Sequence, residues 1–254
     1  MFINPRFKKG EIKIAGNKKI YSKKEGTISD FEVWIVNGEY IRKNICEDFV
    51  NLGQHYALKF IPKNEFWISK EVVPGEEWFY IAYLLTENRL MEKGMTHKKA
   101  SEIADKAEKR ERRKSVTLQK IKKIRTKDGL LKKVRKKIIR KYENGIDVWL
   151  VRGELVRDAF YIDFAGGGHD KVYHFIPNKE IWIDDDIVKE EREFIILHEL
   201  HERNLMAKRW NYPKAHRSAT GVEDFCRRHP KKTGGFIKAE VKLPITASCG
   251  ASKY

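Results

Sequence analysis

No stretch of this 254-residue chain approaches the ~20 consecutive apolar residues that a membrane-spanning helix needs. The N-terminal segment MFINPRFKKGEIK lacks the apolar core of a secretory leader, so the expectation is an intracellular, cytoplasmic protein with no membrane association. Cysteine is scarce. Cys46, Cys226 and Cys249 are odd in number, far apart and without metal-ligand spacing, which argues against both a disulfide framework and a cysteine-ligated metal. The one glycine-rich loop, Gly166-Gly167-Gly168-His169-Asp170, does not lead from a strand into a helix, so the phosphate-cradle logic does not apply to it.

Acidic residues are few in one place only. From Lys109 to Lys141 there are seventeen Lys or Arg against Glu111 and Asp128, so this stretch supplies about +15 of the formal net charge of +17. Affinity for nucleic acid or another polyanion is therefore expected in residues 109–141, with Lys132, Lys133, Arg135, Lys136 and Lys137 as the contact residues. The alternative is a solvated helical linker. Leu130, Leu131, Val134, Ile138 and Ile139 recur at intervals suited to the apolar face of an amphipathic helix.

What the chain does have is an internal duplication. Residues Val33 to Glu108 align with Val148 to Glu223 at a constant offset of 115 without a gap, and 28 of the 76 positions are identical. VWIVNGEYIR returns as VWLVRGELVR, and KFIPKNEFWIS as HFIPNKEIWID. Shared residues are thus expected to be scaffold and unshared ones to carry function. The division is an extension (1–32), copy one (33–113), a basic, helical connector (114–147), copy two (148–229) and a tail (230–254) with one candidate strand.

Each copy opens with a hairpin signal, Asn37-Gly38 or Arg152-Gly153 between apolar runs, where glycine would supply a positive φ. A second hairpin is expected around Pro62 and Pro177, pairing Tyr56–Ile61 with Phe66–Ser69 and Lys171–Ile176 with Ile181–Asp184. Gly53 and Gly168, shared between copies, read as turn positions of positive φ. Matched Trp34, Trp67, Trp149 and Trp182 read as core residues. The period then changes to near 3.6. Helices are expected over Glu76–Lys93 and from Thr96 through Arg113, and again after Asp186 and from Tyr212 to about Arg228. The fold class is α+β: a tandem ββββαα unit, an antiparallel sheet with a helix hairpin on one face.

The largest chemical difference between copies is local. Where copy one has Tyr83, Leu84, Thr86 and Ser101, copy two has His198, Glu199, His201 and His216. His198 and Glu202 are four apart on one helical face; His216 and Glu223 are seven apart on the next helix. His198, Glu202 and His216, with Glu223 and His201 beside them, form a candidate ligand set for one zinc ion, with Glu199 as the catalytic base. Glu87 and Glu108 match Glu202 and Glu223, however, and Arg42 matches Arg157, which favours a structural Glu–Arg network at these positions. His169, Asp170 and His174 would rim the site if that sheet edge lies above it.

The string His198-Glu199-Leu200-His201-Glu202 is similar to the zincin metallopeptidase motif H-E-x-x-H, with Glu202 where the second histidine would stand. The similarity covers the 26 residues from His198 to Glu223 and implies a metal-dependent hydrolase. VWLVRGELVRD, GGGHDKVYHFIPNKEIWIDDD and FIILHELHERNLM together resemble a family of uncharacterised bacterial and phage proteins with a helical H-E-L-x-E-R block. That resemblance implies a compact module and no particular activity. Two functions are thus expected in competition: a zincin-like hydrolase with its site in copy two, and a non-enzymatic module binding nucleic acid or protein through the connector.

Overall fold

The computed structural model describes residues 14, 16–124 and 126–242. They form a mixed α+β fold with two four-stranded sheets, divided between two compact units. The first unit takes in the described part of Met1–Val134 together with Arg152–Ala165 and Asp185–Val188. The second takes in Arg135–Val151, Gly166–Asp184 and the described part of Lys189–Tyr254.

In the first unit, β1 (Tyr21–Ile28), β2 (Phe31–Val36), α1 (Gly38–Asn44), β3 (Leu52–Gln54), β4 (Glu65–Ser69), α2 (Glu77–Glu92), α3 (His97–Arg112), α4 (Val116–Ile121) and α5 (Lys127–Val134) follow one another. A later segment adds α6 (Gly153–Ala159). The sheet order is β1-β2-β4-β3, with β2 and β4 parallel and the outer pairs antiparallel. Strand β4 is central and buried on both faces. Trp67 joins Val36, Ile41 and Phe49 in one core, while Phe66 and Ile68 join Val33, Ile81 and Leu84 in another. Period-two alternation along a single strand thus builds both cores.

The second unit repeats the plan with β5 (Arg135–Lys141), β6 (Asp147–Val151), β7 (Gly167–His169) and β8 (Glu180–Asp184) in the order β5-β6-β8-β7, again with a parallel central pair. The helices are α7 (Arg192–Ala207), packed on β7 and β8, then α8 (Tyr212–Arg228) and α9 (Thr233–Lys242). In both units the outermost strand is charged and carries two register shifts, a device that blunts a sheet edge.

Several expectations are corrected. The N-G and R-G signals do not make hairpins but start helices α1 and α6. Asn37 caps α1, its Oδ1 accepting from Tyr40 N at 3.3 Å. Gly38, Ile41 and Arg42 are the buried residues of that helix. Gly38 is needed for close approach, because a Cβ there would lie 2.4 Å from Ser69 Oγ. This interposed helix is what lets β2 and β4 run parallel, since a parallel pair needs a crossover longer than a hairpin. Tyr56–Ile61 and Lys171–Ile176 are turns, and the short edge strands lie just before them, in the glycine-bearing segments. Neither Gly53 nor Gly168 has positive φ. At Gly53 the constraint is packing: a Cβ would meet Ile61 and Leu58 at 2.7 and 2.8 Å.

The connector is not one helix. Leu131 and Val134 are buried on α5, but Ile138 and Ile139 lie on β5, and the extension likewise contributes β1. The structural repeat therefore begins one strand before the sequence repeat. The tail forms a helix rather than a strand as far as Lys242; Cys249 lies outside the described residues. The helix hairpins stand as expected, with Gly94 at φ +85° between α2 and α3 and a proline in the first turn of α8. Trp67 and Trp182 are fully buried. Among the described residues no helix is long and apolar enough to cross a membrane.

Candidate metal centre

Helix α7 brings His198, Glu199 and Glu202 to the hairpin interior, α8 adds His216 and Glu223, and β7 adds His169 from the sheet edge. His198 Nε2 lies 3.1 Å from His216 Nδ1 and 3.6 Å from Glu202 Oε2, and that oxygen is 2.7 Å from His216 Nδ1. Three donor atoms on two helices thus surround one point. Donors on a tetrahedral ion at ~2.1 Å would be ~3.4 Å apart, so the two sides that meet His198 Nε2 are near ligand spacing, while the 2.7 Å side between Glu202 and His216 would have to open. His198, Glu202 and Glu199 are buried, whereas the His216 side chain keeps 30% of its exposure and opens the cluster to solvent.

The surroundings orient these donors. His198 Nδ1 is 2.8 Å from Glu223 Oε2, which turns Nε2 toward the triangle. Glu223 is held in turn by Arg227 Nε at 2.8 Å, and Arg227 also pairs with Glu191. The same frame occurs in copy one, where Arg112 joins Glu108 and Glu76, each at 2.7 Å. The Glu–Arg pair of Glu223 and Arg227 is thus common to both copies, and His198 is the addition in copy two. Arg42 pairs with Glu71, and Arg157 with Glu76 and with Asp186, the counterpart of Glu71.

Charge follows from this packing. Burial favours neutral His198, but hydrogen bonds to Glu202 and Glu223 outweigh it and hold its pKa well above the usual imidazole value. Burial would likewise raise Glu202, yet its bonds to His169, His198 and His216 keep it well below the usual carboxylate range. Glu223 falls to about 2 because the His198 hydrogen bond and Arg227 overcome its burial. Glu199 is the exception. Burial, only partly offset by His198, pushes it up to about 8. Its carboxylate occupies space left by a missing side chain, since a Cβ on Gly167 would sit 3.0 Å from Oε1. Copy one has Leu52 and Leu84 at the equivalent places, Leu84 in its apolar core and Leu52 packed against it.

Copy one also shows what the shared glutamate does without histidines at the places of His169, His198 and His216. Glu87 is satisfied by Gln54 Nε2 at 2.8 Å, Tyr83 Oη at 2.8 Å and His97 Nε2 at 3.1 Å. Ser101, in the place of His216, bonds to its own helix backbone. Comparison with protein-family models, curated proteins and solved structures found no match. The two copies are therefore the comparison that the chain itself supplies.

Of the sequence-derived site residues, His198, Glu202 and His216 come together, with Glu199 and Glu223 beside them. His201 does not join them: Nδ1 meets Glu240 at 2.6 Å and Nε2 meets Ser218 at 3.0 Å, so it ties α9 to the hairpin. His174 is exposed, and Asp170 pairs with Arg203 at 2.6 Å. His169, fully buried with Nε2 3.0 Å from Glu202 Oε1, is the residue that sequence reasoning placed only at the rim. Its signal was the exchange of Gln54 for His169 between copies. The basic residues divide: Lys132 and Lys133 are exposed on α5, and Lys136 and Lys137 on β5. Arg135 is half-buried, paired with Glu180 and lying 4.9 Å over Trp149.

Proposed function

We propose that copy two carries a divalent-metal centre formed by His198 Nε2, His216 Nδ1 and Glu202 Oε2, and that this centre serves hydrolysis. The observation that supports it is the triangle of donor atoms, with sides of 3.1, 2.7 and 3.6 Å, in one copy of a duplicated scaffold. Two imidazoles and a carboxylate are a ligand set that suits zinc, and an ion there would supply a Lewis acid that makes water nucleophilic near neutral pH. Glu223 and Arg227 orient His198. Glu199, a second buried carboxylate outside that triangle, is assigned the transfer of a proton from the attacking water to the leaving group, a role that requires the charge of a bound ion to lower its raised pKa and ionise it.

Elemental analysis of purified protein tests the centre. About one equivalent of zinc or a similar ion is expected in the wild type, with loss in His198→Ala and His216→Ala; absence of metal from the reconstituted wild type would sink the reading.

A second reading rests on four exposed lysines, Lys132, Lys133, Lys136 and Lys137, within six residues. We propose that they bind polyanions such as nucleic acid. Neutralising these four, with Arg135 left to its structural contacts, is expected to weaken nucleic-acid binding and flatten its salt dependence. Unchanged binding, or none in the wild type, would dispose of it.

A further inference from the structure

His169, Glu199 and Glu202 each offer a donor atom within 4.8 Å of the others, a grouping that invites a second ion sharing Glu202. The hydrogen bonds at His169 speak against that. The backbone N–H of Lys171 donates to His169 Nδ1 at 3.1 Å. A backbone N–H can only donate, so Nδ1 must present its lone pair. An imidazolium, or the tautomer with its proton on Nδ1, could not accept this bond. The proton of the ring is therefore on Nε2, where it points to Glu202 Oε1 at 3.0 Å. A nitrogen that carries a proton has no lone pair for a metal. Ligation through Nε2 would need either an imidazolate or loss of the Lys171 bond.

Copy one contains the same relay in a different residue. The N–H of Tyr56, which aligns with Lys171, donates to Gln54 Oε1 at 2.7 Å. The Gln54 amide nitrogen then donates to Glu87 Oε2 at 2.8 Å. The acceptor and donor of a glutamine amide thus stand where Nδ1 and Nε2–H of the imidazole stand. In both copies a fixed backbone donor sets the polarity of a buried side chain, which in turn donates to the shared glutamate.

We propose that His169 is a positioning residue and not a ligand: locked as the Nε2–H tautomer by Lys171, it pins Oε1 of Glu202 so that Oε2 faces His198 and His216. That His169 serves ligation in this way rests on the metal centre proposed above; its tautomer and the relay do not. Such outer partners of a metal ligand carry about 10–100-fold in affinity.

The test uses the full chain, with Zn²⁺ as the probe and imidazole nitrogen NMR as a readout independent of binding. His169→Gln is expected to keep the wild-type Zn²⁺ stoichiometry and affinity, because glutamine already performs this task in copy one. His169→Ala should bind about 10–100-fold more weakly. In metal-free wild type, His169 should show a protonated Nε2 and a bare Nδ1, unchanged when Zn²⁺ is added. Three results would overturn the proposal: loss of Zn²⁺ in His169→Gln as complete as in His216→Ala, a second bound ion that depends on His169, or a proton on Nδ1. Should the wild type take up no Zn²⁺ while the Nε2–H tautomer is observed and His169→Gln folds as stably as wild type, the metal centre fails and the relay stands.

Discussion

Saturating Zn²⁺ is expected to raise the thermal midpoint of the wild-type protein by on the order of 10 °C and to leave His198→Ala unmoved. An ion bound only by the folded state stabilises it by about 4 kcal/mol when its free concentration is ~1,000 times Kd. For a chain of this size each kcal/mol moves the midpoint by roughly 2–4 °C. The shift should grow with pH, and the single proton on His198 accounts for this from both the metal-bound and the metal-free side. His198 must lose its proton to ligate, so protons compete with metal as pH falls. In the metal-free protein the pKa of His198 is raised on folding. Its contribution to stability is complete below the unfolded value of about 6.5 and is lost as pH rises through the folded value. Metal-free protein thus weakens in the alkaline range where metal binds best. Midpoints measured with and without Zn²⁺ from pH 6 to 9 check this, and a shift that is absent, or that shrinks as pH rises, would contradict it.

Arg112→Met is expected to cost about 3–5 kcal/mol at neutral pH, the magnitude typical of removing one partner from a buried ion pair. The Arg112 side chain is only 2% exposed and meets Glu76 and Glu108 at 2.7 Å and Asp158 at 3.2 Å. Its removal leaves three buried carboxylates, of which Glu76 keeps its ion pair with Arg157. Glu108 and Asp158 already have raised pKa values, because burial outweighs the Arg112 charge beside them. Without Arg112 they rise further, and their cost applies only where they are ionised. Glu76 is depressed overall, Arg157 and Arg112 overcoming its burial, so what it contributes is present above the unfolded value of about 4.3 and lost as pH falls. The deficit of the variant should therefore narrow between pH 7 and pH 4. Urea unfolding at both pH values measures it, and a deficit under about 1 kcal/mol, or one independent of pH, would show that the network is not what it looks like.

The helix hairpins were legible because their signals are local: glycine at position 94, proline at 213, and apolar spacing near 3.6 along α2 and α7. The sheets were legible only in part: the apolar runs of β2, β4, β6 and β8 stood out, but the parallel pairing and the edge strands did not. β1 and β5 are charged edge strands with no apolar run, and β5 was hidden because Ile138 and Ile139 also fit a helical stripe. Asn37-Gly38 carries the signature of a hairpin turn and of a helix cap alike, and only the fit of Gly38 against Ser69 decides between them. At the site, spacing found His198, Glu202 and His216, which share two adjacent helices. It could not find the orientation of His169, which reaches Glu202 from a strand 33 residues earlier in the chain. His201 was included because periodicity places it near the cluster; its face is instead turned to α9, an element the tail did not announce.

The segment Arg152–Ala165 belongs by sequence to copy two and by packing to the first unit, where it supplies Arg157 to Glu76 and Asp158 to Arg112. The unit of inheritance and the unit of folding therefore have different boundaries. A genetic breakpoint in residues 114–147, where sequence alignment would place the seam, would strand two buried ion partners on the wrong side of it. The copies can diverge in their chemistry, as their histidines show, but they are bound to descend together.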